Sequence, residues 1–99
     1  MTPDARLSAA IEILEEIEHS TRAAHKILQS YFRSRRYAGS KDRNAIRKKV
    51  FDIIRNRARL DWWIVDKLGD NNSSVRLRII ASIQTLDKTG PNAFNNFFL

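Results

Sequence analysis

Apolar residues recur at three- and four-residue spacing along most of this chain, a pattern that predicts amphipathic helices. In the first segment one such stripe consists of Leu7, Ala10, Ile11, Leu14 and Ile17. Alternation with a period of two, which is typical of strands, is nearly absent. The spacing predicts helices near 3–18, 21–35, 41–68 and 74–87, followed by an irregular tail over 88–99.

Capping and stop residues mark the ends of these helices. Thr2 can cap the first helix with Pro3 at its first position, where the missing N–H of proline costs nothing. Ser40 is a suitable cap for the third helix, and Gly69 supplies its C-terminal stop. Because no proline or glycine lies between them, one long helix is predicted there. The chain is therefore expected to be all-α, a bundle of about four helices in a single domain over 1–99.

The long third helix is predicted to be central, because its apolar residues cover about half of its circumference. They are Ile46, Val50, Phe51, Ile53, Ile54, Ala58, Leu60, Ile64, Val65 and Leu68. Trp62 lies at the edge of this arc, which favours a core or domain-contact role. Trp63 lies nearly opposite the centre of the arc, where it could cover another domain or stack on a base. For both tryptophans a packing role is the first expectation.

Composition places the chain among soluble globular proteins, with 42% apolar and 29% charged residues. No apolar run approaches the ~20 residues that a membrane-spanning helix needs. The N-terminal segment soon turns acidic, unlike a signal peptide. Cysteine is absent, which excludes thiolate chemistry and fits a reducing compartment. A cytoplasmic location is expected, without a membrane partner.

The charge distribution indicates a polyanionic partner. The net charge is +7, but residues 21–60 hold thirteen basic side chains against two acidic ones, a balance of +11. Such a segment attracts nucleic acid, the commonest cytoplasmic polyanion. The basic residues lie in the stretch YFRSRRYAGSKDR (31–43) and along one face of the third helix. The candidate RNA-binding residues are Arg33, Arg35, Arg36, Lys41, Arg43, Lys48, Arg55 and Arg59.

Two alternatives accompany this assignment. The basic stripe of Lys48, Arg55 and Arg59 could be a solvated helix face, with Asp52 bridging Lys48 and Arg55. Three other arginines would point toward the apolar arc of a regular helix, and we expect them to snorkel or meet carboxylates, for which the glutamates of the first helix are candidates. These three are Arg43, Arg47 and Arg57.

No motif argues for catalysis. His19 and His25 have no partner at ligand spacing, so a metal site is not expected. There is no glycine-rich phosphate loop, no G-x-S-x-G and no HExxH. The chain alone is therefore not expected to be an enzyme.

Two stretches, ARLSAAIEILEEI (5–17) and YFRSRRYAGSKDRNAIRKKVFDIIRNRARLDWW (31–63), resemble the N-terminal domain of the RsmB/Sun family. That family consists of bacterial enzymes that methylate cytosine C5 in 16S ribosomal RNA. The resemblance, which spans about 4–87, implies a NusB-like helical domain that binds RNA. It also implies a Rossmann-like domain that binds S-adenosylmethionine and carries nucleophilic cysteines. This chain lacks the second domain, so it holds no cofactor and no catalytic residue can be carried over.

The resemblance implies an RNA-binding module of a ribosomal RNA methyltransferase, with a methyltransferase domain in cis or in trans. The chain also stops before a complete NusB-like bundle would be expected to end, which indicates either a truncated fragment or a reduced stand-alone gene product. Truncation would expose FFL (97–99) and favour self-association. A helical module that docks onto a methyltransferase domain or a ribosomal or antitermination protein is the alternative. DNA binding through a helix-turn-helix is less consistent with the length of the third helix.

Overall fold

The computed structural model describes residues 2–36, 38–69 and 74–86. Within these residues the secondary structure is entirely helical, which confirms the all-α class. The helices are α1 (Pro3–Glu18), α2 (Ala24–Ser34), α3 (Ser40–Arg55), α4 (Arg57–Leu68) and α5 (Val75–Thr85). The predicted tail over 88–99, with the apolar end at 97–99, lies outside the described residues. The contacts divide the chain into two compact units, one up to Val50 and one from Phe51 onward.

The first unit is built on α1 packed against α2. Thr2 caps α1 as predicted, because its Oγ1 accepts a hydrogen bond from the N–H of Ala5 at 3.1 Å. The buried stripe of α1 is shifted from the predicted one, since Ala9 and Ile13 are buried while Leu7 is only half-buried. The apolar residues that form the core of this unit are Ala9, Ala10, Ile13, Leu14, Ile27, Leu28, Phe32, Ala38, Ile46 and Val50.

An ion pair joins α1 to the start of α3 within this unit. The Nε of Arg6 donates to Oδ1 of Asp42 at 2.7 Å, and the Asp42 side chain is only 13% exposed. This hydrogen bond from Arg6 lowers the pKa of the Asp42 carboxyl. Asp42 also lies in the first turn of α3, where a negative charge interacts favourably with the helix dipole. The carboxylate is therefore held in its ionised form.

The second unit is built on α4 packed against α5. Ser74 caps α5 by accepting a hydrogen bond from Leu77 N–H at 3.2 Å. Gly69 ends α4 with φ 65°, the left-handed conformation that glycine adopts most readily. The buried apolar residues of the unit are Ile53, Leu60, Ile64, Val75, Ile79, Ala81 and Ile83.

A charged side chain is buried among these apolar residues. Arg78 of α5 is only 5% exposed, and its Nε lies 3.3 Å from Oδ1 of Asp61 on α4. Asp61 is also 3.8 Å from Arg57, one turn earlier on α4. Asp61 is therefore a carboxylate that Arg57 meets, as expected of this arginine. Burying Arg78 is tolerated because its charge is paired.

The structure divides the predicted helix over 41–68 at Asn56. This residue has φ −110° and ψ 20°, outside the helical region. Its Nδ2 donates to the carbonyl of Asp52 at 2.8 Å, and its own carbonyl accepts from Leu60 N–H at 2.9 Å. The backbone N–H of Asn56 also donates to this Asp52 carbonyl, at 3.1 Å. Helix α3 therefore ends and α4 begins at a local change of backbone conformation, without a proline or glycine. At the other end α3 starts at Ser40 itself, which moves the cap position to Gly39.

Helix α4 buries a narrower stripe than the sequence predicted. Leu60 and Ile64 are buried, whereas Trp62 is 66% exposed. At about 100° per residue, Trp62 lies roughly 160–200° around the helix from these two residues. The core alternative for Trp62 was therefore wrong, while its domain-contact alternative stays a prediction. Trp63 is half-buried. The other exposed large apolar residues of the predicted arc are Ile54, Val65 and Leu68.

Replacement of Asp42 should make the free energy of unfolding less dependent on pH in the acid range. Because the folded-state pKa of Asp42 is lowered, its contribution is present above its unfolded pKa of about 4 and is lost as the pH falls through the folded value. We expect Asp42→Asn to unfold at lower urea concentration than the wild type at pH 7, and the two midpoints to converge in acid. Glu16→Gln, on an exposed residue of α1, is the control. A constant Asp42→Asn difference from pH 7 to pH 2 would contradict this role.

Replacement of Asp61 tests the buried pair of the second unit. Asp61→Asn weakens the pairing of Arg78, but Asp61 is itself partly exposed, so we expect a loss of about 1–2 kcal/mol in the free energy of unfolding. Asp66→Asn removes an equal charge from the exposed neighbour of Lys67 on the same helix and should change stability by less than about 0.5 kcal/mol. Equal effects in chemical denaturation would show that the Arg78 pair is unimportant.

Candidate nucleic-acid interface

The arginine-rich segment forms an open groove on the first unit. The groove has a volume of about 540 Å³ and is lined by Gln29, Phe32, Arg33, Arg36, Arg43 and Arg47. Four of these six side chains carry a guanidinium group and none is acidic. The groove is therefore a concentration of positive charge contributed by the end of α2, the segment after it, and the first half of α3.

Two of the groove arginines are available to a ligand. Arg33 lies in the last turn of α2, and Arg36 follows the end of that helix. Both are exposed, and neither forms an ion pair or side-chain hydrogen bond with any residue in the described part of the chain. A guanidinium group presents donors in a planar fork that can hold a phosphate with two hydrogen bonds. These two side chains can bind an anion without breaking an existing contact.

The other two arginines are held in place over a buried ring. The Arg43 Nε donates to the carbonyl of Ala38 at 2.9 Å, and Arg47 Nη1 donates to Oδ1 of Asn44 at 3.2 Å. Their guanidinium carbons lie 5.7 Å and 5.5 Å from the centroid of Phe32, within the range of cation–π attraction. Phe32 is only 4% exposed. Its fixed ring therefore limits the conformations of both arginines and lowers the entropy cost of binding.

Two carboxylates of the same unit are bound by other side chains. Glu12 accepts a hydrogen bond from the hydroxyl of Tyr31 at 3.0 Å and lies 3.6 Å from Nη2 of Arg35. Asp42, which precedes Arg43 in the sequence, is held by Arg6. Neither acid lines the groove. The positive charge of the groove is therefore not cancelled by these two neighbours.

Arg35 is separated from the other arginines of its segment. Its guanidinium stacks on the ring of Tyr31 at 3.9 Å and pairs with Glu12. It lines a second concavity of about 720 Å³ with residues of α1 and Tyr31 instead of the groove. The structure therefore does not bring Arg35 together with Arg33 and Arg36. Arg35 lies two residues after Arg33, and its side chain points to another side.

The remaining predicted residues lie outside the groove. Lys41 is exposed in the first turn of α3, and Lys48 is exposed in the middle of the same helix. Arg55 ends α3 with its Nη2 2.7 Å from Oδ1 of Asp52, which is one of the two pairings that the solvated-face alternative requires. Arg59 belongs to α4 and is exposed. Because α3 and α4 are separated at Asn56, Lys48, Arg55 and Arg59 do not follow one another along a regular helix as predicted.

Three residues that line the groove were not among the predicted RNA-binding residues. Arg47 was expected to have a structural role, yet it lies one turn after Arg43, so their spacing of four residues places both on one side of α3. Gln29 likewise precedes Arg33 by one turn on α2. Phe32 carries no charge, and nothing in the sequence indicated that two arginines would lie over its ring.

Two further features, a metal site and a membrane-spanning helix, were searched for in the part of the chain that the structure describes. Among those residues no group of three or more His, Cys, Asp or Glu side chains could hold a metal ion. None of the described helices is both long enough and apolar enough to cross a membrane.

Compared with family models, with curated proteins and with solved structures, the chain gave no match. The resemblance to the RsmB/Sun family therefore rests on the two sequence stretches alone.

Proposed function

We propose that this chain is an RNA-binding module that holds the ribose-phosphate backbone in its arginine groove and performs no catalysis of its own. The observation that carries this proposal is the lining of the groove, where Arg33, Arg36, Arg43 and Arg47 meet without an acidic residue. Four like charges in one concavity repel one another, and a bound polyanion relieves that repulsion.

The character of the groove favours a phosphate backbone over a base-specific contact. Its aromatic residue, Phe32, is buried and already covered by Arg43 and Arg47, so a base has no exposed ring to stack on there. Guanidinium contacts to phosphate fix the position and affinity of a strand but carry little sequence information. We therefore expect the groove to bind RNA with strong salt dependence and weak sequence preference.

The parent activity is proposed from the sequence resemblance. Within the RsmB/Sun family a NusB-like domain accompanies a methyltransferase domain that acts on ribosomal RNA, and the arginine-rich segment of this chain falls in the matching region. On this proposal S-adenosylmethionine binds to a methyltransferase domain in cis or in trans.

Replacement of the available groove arginines should weaken RNA binding. We expect Arg33→Ala/Arg36→Ala to reduce affinity for a ribosomal RNA fragment roughly 10- to 100-fold, because two charge-assisted contacts are removed. The slope of log K against log salt should become shallower by about 1.4 for a single strand. Fluorescence anisotropy at several salt concentrations measures both quantities, and circular dichroism checks that the helices persist.

The matched control removes the same charge elsewhere. Arg35 lies outside the groove beside Glu12, and Arg76 is exposed on α5 in the second unit. We expect Arg35→Ala/Arg76→Ala to lower affinity by less than about threefold, through long-range electrostatics alone. If the two double variants weaken binding equally, the groove is not the site and only net charge attracts RNA.

A further inference from the structure

Helix α4 exposes a large aromatic side chain that the groove does not explain. Trp62 is 66% exposed, on the side of α4 opposite the buried Leu60 and Ile64. Exposed tryptophan is uncommon, since the ring is one of the largest apolar surfaces a residue can present. The packing of α4 against α5 therefore does not account for Trp62.

The neighbours of Trp62 on the surface of α4 differ from one side to the other. Ala58 and Val65 lie one turn away on one side and are small enough to leave the indole accessible. Arg59 and Asp66 lie one turn away on the other side. Asp66 is 3.5 Å from Lys67, whereas Arg59 is exposed and has no ion pair or hydrogen bond with any described residue. An unpaired guanidinium thus accompanies the exposed ring.

This combination suits a single-stranded nucleic acid better than a second copy of the chain. A two-fold contact would bring each Arg59 toward a molecule that also carries a net charge of +7. A single strand offers both a flat base for the indole and a phosphate for the guanidinium. The net charge of +7 therefore favours a polyanionic partner over a second copy of the chain.

We propose that Trp62 stacks on an unpaired base of bound RNA while Arg59 contacts an adjacent phosphate. This inference rests on the proposed RNA-binding function and specifies its substrate as single-stranded. A paired base is already stacked within its duplex and cannot cover the indole. Because stacking is possible with every base, the contact adds affinity without a strict sequence requirement.

The test compares two probes that share charge but differ in bases, a short oligouridine and an inorganic polyphosphate of matched length. We expect Trp62→Ala to weaken oligouridine binding roughly tenfold and to leave polyphosphate binding unchanged. Trp62→Phe should retain most of the affinity, because a smaller aromatic ring remains. Trp63→Phe, which replaces the half-buried neighbour, is the control and should bind both probes like the wild type.

Fluorescence gives an independent readout of the same contact. In the Trp63→Phe variant the only tryptophan is Trp62, and oligouridine should quench its emission while polyphosphate should not. Failure of oligouridine to quench this emission would overturn the proposal. So would a change in emission that depends on protein concentration without RNA, since that result identifies a second copy as the partner.

The outcomes separate this inference from the proposed function. If Arg33→Ala/Arg36→Ala weakens oligouridine binding but Trp62→Ala does not, the groove binds RNA and the stacking proposal is wrong. If Trp62→Ala weakens binding of both probes equally, the residue acts on the fold and the proposal is also wrong. If Trp62→Ala matters and the groove variant does not, stacking is supported and the groove is rejected.

Discussion

The candidate site depends on which acidic side chains pair with which arginines. In the first unit Asp42 is bound by Arg6, and Glu12 is bound by Tyr31 and Arg35. Both carboxylates are therefore engaged away from the groove. Neither carboxylate therefore pairs with the guanidinium groups of the groove, and no acidic side chain lines it.

The groove also depends on a buried aromatic ring. Phe32 belongs to the core of the first unit, and it packs edge to face against Tyr31 with the ring centroids 5.8 Å apart. The same ring lies beneath Arg43 and Arg47. One residue thus connects the stability of the helices to the position of two charged groups. On the proposed function, holding these arginines before a ligand arrives would lower the entropy cost of binding.

The helical class and most helix ends could be predicted from the sequence, since apolar spacing and caps such as Thr2, Gly69 and Ser74 act locally. The break at Asn56 could not be predicted, because no proline or glycine marks it in the sequence. The exposure of Trp62 was also missed. Because the predicted apolar arc includes Ile54, Ala58 and Val65, its centre lies away from Leu60 and Ile64. These two are the residues that α4 buries.

The charge distribution along the chain located the arginine-rich segment, but it could not show which of its arginines line the groove and which do not. Arg33 and Arg35 are separated by one residue, yet one lines the groove and the other stacks on Tyr31 beside Glu12. That difference is set by tertiary contacts, which a count of charges does not contain. The most direct measurement is a nuclear magnetic resonance titration that follows the Nε–H signals of the arginine side chains as a short single-stranded RNA is added. The signals of Arg33, Arg36, Arg43 and Arg47 should shift together while that of Arg35 stays in place; a shift of Arg35 equal to the others, or no shift of Arg33 and Arg36, would contradict a groove that binds the RNA backbone.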